Sequence, residues 1–146
     1  MGREAAEQVP VKVIVRTTIL QGNEQETFEL TTFGRYYKKG QATYLLYEEV
    51  LEVGHVKTTV KFSTDEAVIL RSGALNMRLS FKNQYQMKGH YDSPYGSMDA
   101  MTDTKKIEHR QANEKEGVLN LVYELTMQGD VAGIYHMEIK YKEDKK

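Results

Sequence analysis

The sequence predicts an all-β fold: a single antiparallel up-and-down barrel of about ten strands. Three observations lead there. Apolar residues recur with period two rather than 3.6, so that each segment has one apolar and one wet face. Turn residues punctuate the chain at short intervals. The length of 146 residues suits one domain with one core, 1–146, with residues 1–9 and 143–146 expected to be frayed ends.

The elements follow in chain order. Val11, Val13 and Val15 alternate with Lys12, Ile14 and Arg16, giving a first strand over 11–20. Gln21-Gly22-Asn23 and Lys38-Lys39-Gly40 bracket a second over 25–37, and a third spans 41–51. Val56, Thr58, Val60 and Phe62 make the apolar face of the fourth, 55–62. The fifth, 66–72, ends at Ser72-Gly73, which has the composition of a tight two-residue turn. Leu75, Met77, Leu79 and Phe81 define the sixth, 74–82, followed by strands over 84–91 and 95–109. The ninth, 116–128, presents Leu119, Leu121, Tyr123 and Leu125; the tenth, 132–143, presents Tyr135, Met137, Ile139 and Tyr141. The best helix candidate is Thr104 to Glu116. Its apolar content, Ile107 and Ala112, is too thin for an amphipathic helix, so it reads as a strand end and a loop. Ten short strands must hide their edges, and successive hairpins do so most completely by closing into a barrel.

Composition excludes several classes of function. With 20 Lys and Arg against 21 Asp and Glu, the net charge of −1 argues against a nucleic-acid or acidic-membrane partner. Zero Cys removes disulfide frameworks, thiolate metal sites and a Cys nucleophile. No apolar run approaches a bilayer-spanning helix. The first seven residues lack the apolar region of a signal peptide, and Ala6 stands where a myristoylation motif needs Ser or Thr. A cytoplasmic location is expected, with the chain a monomer or homodimer.

Three segments together carry a resemblance: Tyr44-Leu45-Leu46-Tyr47-Glu48-Glu49, then Gly54 through Lys61 (Gly-His-Val-Lys-Thr-Thr-Val-Lys), then Leu70-Arg71-Ser72-Gly73-Ala74-Leu75-Asn76-Met77. They resemble the YwiB-like family of bacterial proteins, a domain of unknown function found mainly in Firmicutes. The likeness runs through Tyr95-Gly96 and Thr102-Asp103-Thr104 to cover about residues 10–142. It implies a calycin-like, lipocalin-like barrel and no established activity. The chain has no Trp, so the Gly-x-Trp signature of true lipocalins is absent.

Glu48 and Glu49 are strand neighbours and face opposite ways, so they cannot form an acid–base pair. Asp99 and Asp103 share a face but lie roughly 13 Å apart, beyond a glycosidase spacing. His136 and Glu138 share a face about 7 Å apart, loose for one metal ion. His136 is also the least poor axial haem ligand, though no metal or cofactor is expected. Ser72 and Ser97 have no nucleophile motif around them.

The cations are more informative. Lys57 and Lys61 share a face of the fourth strand; Arg71 ends the fifth and Arg78 lies on the sixth. If that face points inward, it builds a polar pocket with Tyr44 or Tyr47 and Glu49, able to hold a carboxylate or phosphate. If it points outward, it is a solvated surface. Arg71, directly after Val68-Ile69-Leu70, has a further structural reading: it satisfies loop carbonyls or pairs with a buried carboxylate, Glu48 or Glu49. Three functions stay open on this reading. One is a non-enzymatic binding module for a small molecule, such as an anionic amphiphile, held by Tyr44, Tyr47, Glu49, Lys57, Lys61, Arg71 and Arg78. Another is an interaction module with a packed interior. The third, an enzyme, requires a cluster of perturbed titratable groups that the sequence does not display.

Overall fold

Alternation carries the chain through ten consecutive strands. A computed structural model describes residues 7–145. The strands are β1 (Val9–Gln21), β2 (Glu24–Lys39), β3 (Ala42–Leu51), β4 (Gly54–Phe62), β5 (Glu66–Gly73), β6 (Asn76–Lys82), β7 (Gln86–Ser93), β8 (Gly96–Asn113), β9 (Glu116–Met127) and β10 (Asp130–Glu143). Each pairs antiparallel with the next, and β10 returns to β1 to close the barrel. The expected up-and-down topology and strand number are therefore observed. No helix among the described residues is long and apolar enough to cross a membrane.

The faces expected to be apolar point inward. Val11, Val13, Val60, Ile69, Leu119 and Ile139 are fully buried and form the centre of the core. The boundaries differ in three places. Residues 104–113 are strand throughout, because β8 runs 18 residues and carries bulges at Lys105 and Ala112. A bulge puts two residues opposite one, so Lys105 and Lys106 both face solvent while Ile107 returns to the core. The turn after β5 falls at Ala74-Leu75 rather than Ser72-Gly73, and Leu75 is buried within it. The chain is also tied down closer to its ends than expected. Val9 belongs to β1, the Glu143 N–H donates to the Lys115 carbonyl (3.1 Å), and the Asp144 N–H donates to that of Pro10 (2.9 Å). Residues 1–6 and 146, on which the leader and myristoylation readings and part of the frayed ends fall, lie outside the described residues.

One end of the barrel is plugged. There Tyr36 stacks on Tyr141 at 5.1 Å, Phe62 meets His109 edge-on at 4.7 Å, and His109 Nε2 lies 2.7 Å from the Tyr141 hydroxyl. The opposite end is looser. β2 and β3 pair only over Gly34–Lys39 and Ala42–Tyr47, so residues 24–33 of β2 stay with β1 and leave β3. Gly34 marks the parting: a Cβ there would run into the Leu46 carbonyl oxygen and press on Tyr47 Cβ, so only glycine lets the two backbones cross so closely.

Candidate functional site

The polar interior begins with a row of cross-strand partners. Tyr47 of β3 is opposite Thr58 of β4, Thr58 opposite Arg71 of β5, Arg71 opposite Met77 of β6, and Met77 opposite Tyr91 of β7. Opposed residues share a face, so the whole row points inward with Ala67 and Ile69. Glu49, two residues beyond Tyr47, points the same way while Glu48 faces out. A charged group has thus been carried into an apolar barrel on each of β3 and β5.

These groups meet. The Thr58 hydroxyl donates to Glu49 Oε1 at 2.6 Å, and Arg71 Nε stands 3.2 Å from the same oxygen. The approach of Nε is close enough for an ion pair but not aligned as a hydrogen bond, and buried Nε has no acceptor. Nη1 reaches Met77 Sδ at 4.0 Å, a weak acceptor. The guanidinium is therefore charge-compensated yet under-used as a donor.

Arg71 and Glu49 border a cavity of about 530 Å³ at the loose end of the barrel. That volume lies within the usual range of small-molecule sites, roughly 300–1,000 Å³. Its wall is mainly apolar: Ile69, Met77, Leu79, Leu125 and Met137. Tyr91, Tyr123 and Tyr135 add rings with a hydroxyl each, and Glu29, Phe28 and Val50 form the rim. Tyr123 stacks on Tyr135 at 5.3 Å and leans on Phe81 at 4.6 Å. Burial pushes the Tyr123 and Tyr47 hydroxyls well above the ordinary phenol range; at Tyr47 the Glu49 charge adds to this and Arg71 partly opposes it. Both stay protonated and are not bases.

The structure brings together three of the seven residues singled out from sequence. Glu49 and Arg71 line the cavity, and Tyr47 is buried beside them. The buried carboxylate that Arg71 was expected to meet is Glu49. Tyr44, Lys57, Lys61 and Arg78 are on the outer face. Val56, Thr58, Val60 and Phe62 point inward on β4, which by period two turns Lys57 and Lys61 outward. Lys61 Nζ lies over the Tyr44 ring (5.7 Å), and Tyr44 stacks on Tyr37 (4.7 Å). Lys57 is opposite Glu48, and Arg78 is exposed opposite Leu70 and His90. His136 Nε2 lies 3.2 Å from Asn120 Oδ1 on the exposed surface, and Glu138 is beside Lys140 (3.8 Å). Among the described residues no three His, Cys, Asp or Glu side chains gather as a metal site.

Sequence reasoning missed Glu29, Tyr91, Tyr123 and Tyr135 as cavity residues. Strand parity on β9 already turned Tyr123 inward. On β10 alternation likewise placed Tyr135 on the apolar face with Met137 and Ile139, since the bulge at Ala132 lies before that run. Glu29 lies where β2 leaves the barrel and alternation no longer reports an inside.

Comparison with known proteins agrees with this architecture. Residues 13–139 match the family model described as "Domain of unknown function (DUF1934)". The chain is 30% identical over 136 residues to the "Uncharacterized beta-barrel protein YwiB" of Bacillus subtilis (strain 168), covering 93% of this chain and 95% of that protein. The crystal structure of ywiB protein from Bacillus subtilis superposes with a TM-score of 0.87 over 97% of this chain and 96% of that one. A ten-stranded barrel with these neighbours and a match over most of its length belongs to the DUF1934 family, a domain of unknown function.

Proposed function

We propose that the barrel is a binding module that takes a small, largely apolar molecule carrying one uncharged polar group. The observation behind this reading is Arg71: a guanidinium held at the wall of an apolar cavity, whose Nη1 meets only the weak acceptor Met77 Sδ at 4.0 Å. The part of this side chain that stays exposed can donate to a ligand oxygen in the cavity, a hydrogen bond from a charged group worth about 1.5–3 kcal/mol. The charge balance of the lining moves the preference away from the anionic amphiphile suggested by sequence. Glu29 and Glu49 oppose a single cation, and Arg71 is already compensated by Glu49. A carbonyl or hydroxyl accepts from Arg71 without displacing Glu49; a carboxylate head meets a second carboxylate instead. A cytoplasmic place of action fits a chain without Cys.

The test uses N-phenyl-1-naphthylamine, an uncharged dye that brightens in apolar sites. The expected result is one dye per chain, displaced at lower concentration by dodecanamide than by dodecanoate. No dye uptake, or dodecanoate as the better competitor, would overturn the reading. Native mass spectrometry of protein purified from its own cells is expected to show an added mass that denaturation releases.

A further inference from the structure

The free edge of β2 has no use in closing the barrel. Residues 24–33 pair with β1 on one side and with no strand among the described residues on the other. Across the gap, residues 48–51 of β3 pair with β4 and likewise turn an open edge toward β2. Thr32 Oγ1 donating to the Glu48 carbonyl (3.4 Å) marks the apex of the cleft, next to the parting at Gly34. The cavity opens between these edges, since Phe28, Glu29 and Leu30 border it on one side and Glu49, Val50 and Leu51 on the other.

Exposed edges are normally blunted by Lys, Pro or a bulge. Residues 24–33 contain neither Lys nor Pro, and their ladder with β1 is unbroken. Apolar groups flank the cleft in the open: Phe28 is 54% and Val50 74% exposed. The charge is one-sided. Glu24, Glu26 and Glu29 occupy the β2 edge, and Glu48 and Glu52 stand across from it. Arg16 is opposite Glu29 and Lys57 opposite Glu48, but Glu24 and Glu26 are opposite Gln21 and Ile19. No Lys or Arg occurs from Thr17 to Gly34 or from Glu48 to Val56. A second copy would set this acidic edge against itself. A basic segment complements it.

We infer that the cleft between β2 and β3 docks an extended, basic peptide segment of a partner protein, which adds a strand to the free edge of β2 and seats one apolar side chain in the cavity. Main-chain hydrogen bonds along the edge supply affinity, and alternate side chains supply selectivity. Side chains two apart on an added strand share a face, as Phe28 and Glu26 do on β2, so an apolar residue near Phe28 turns inward while Lys or Arg two residues to either side reach Glu26 and Glu52. Seating that one side chain rests on the proposed binding function; strand addition does not.

The experiment is a selection of displayed random nonapeptides on the whole protein, counter-selected on the doubly substituted Glu26→Lys/Glu52→Lys protein. Both positions are exposed and neither lines the cavity. The expected winners carry Lys or Arg on both sides of a central apolar residue. They bind the doubly substituted protein at least tenfold more weakly, and amide shifts on binding fall in residues 24–33 and 48–51. No enrichment over the substituted protein, acidic winners, or shifts elsewhere on the barrel would overturn the inference. Winners that bind equally well with their central residue changed to Gly would overturn the seating of a side chain in the cavity and leave strand addition standing, and the dye test decides the ligand-binding reading separately.

Discussion

Arg71 Nε stands 3.2 Å from Glu49 Oε1 on the inner wall of the barrel, and neither group has another charged partner within salt-bridge distance among the described residues. Their side chains are only 20% and 11% exposed. Removing one leaves the other uncompensated in an apolar wall. Arg71→Met is expected to destabilise the fold by about 2–3 kcal/mol, the low end for a buried pair because water still reaches it. Adding Glu49→Gln to Arg71→Met is expected to recover most of that loss. Urea denaturation of the two single variants and the pair measures it; strictly additive losses would show that the two groups are not coupled.

Gly34 is the point where β2 crosses β3. Its missing side chain keeps a backbone carbonyl of β3 within reach, and that oxygen cannot move out of a sheet ladder cheaply. Gly34→Ala is expected to cost about 2–3 kcal/mol, as a small-to-large change against fixed backbone. Hydrogen exchange should quicken first over Gly34–Lys39 and Ala42–Tyr47, the short β2–β3 ladder, and later elsewhere. Uniform quickening across all ten strands would contradict a local effect at the parting of β2 and β3.

The chain contains no Trp, so one introduced Trp reports a single site. Met127→Trp places it on the cavity wall, and Phe33→Trp places it on the outer face where Phe33 is 61% exposed. The Met127 variant is expected to emit to the blue of the Phe33 variant and to resist acrylamide quenching severalfold better. Its emission should also change when N-phenyl-1-naphthylamine is added, while that of the other stays constant. Equal quenching of both would mean that the cavity is filled with water as freely as the surface.

His109 makes the plugged end sensitive to acid. Burial, and then the nearby Lys38 charge, hold its pKa below the ordinary histidine value of 6.5. The folded state prefers the neutral ring, which lies 2.7 Å from the Tyr141 hydroxyl. Its contribution to stability is complete above the unfolded value of about 6.5 and is lost as pH falls through the lower folded value. The melting temperature is expected to drop as pH falls below about 6.5, and His109→Gln should flatten that part of the profile. An unchanged slope in the variant would assign the acid sensitivity to carboxylates.

Much of the fold was legible because burial on one face forces strict alternation. Val11-Val13-Val15 and Leu119-Leu121-Tyr123 can pair in only one facing. What was not legible follows from the same rule where it breaks. Lys105 and Lys106 sit side by side in β8 because a bulge lies between Thr104 and Lys106, and adjacent polar residues read as a loop. β2 lacked a clear apolar face because half of it peels from the barrel. At the site, Arg71 was identifiable as an outlier in the inward series Ala67-Ile69-Arg71. Its partner was left between Glu48 and Glu49, since strand parity across a turn needs the register. Lys57 and Lys61 drew notice as a cationic cluster, although Val56, Thr58, Val60 and Phe62 already claimed the inside.

The ten ladders of the barrel form a closed ring. Every ladder but one joins neighbours in sequence, and the β1–β10 ladder spans the whole chain. That last ladder runs from Val11 to Leu20, whereas the β2–β3 ladder covers only Gly34–Lys39 and the β6–β7 ladder only Asn76–Arg78. The weak zippers are therefore closed by short hairpins, with a small entropic penalty, rather than across the length of the barrel. Were the ring opened at Gly40 instead, the shortened β2–β3 ladder would have to find its partner across the full contour of the chain. The same interior would then assemble more slowly, by a route dominated by its most distant pairing.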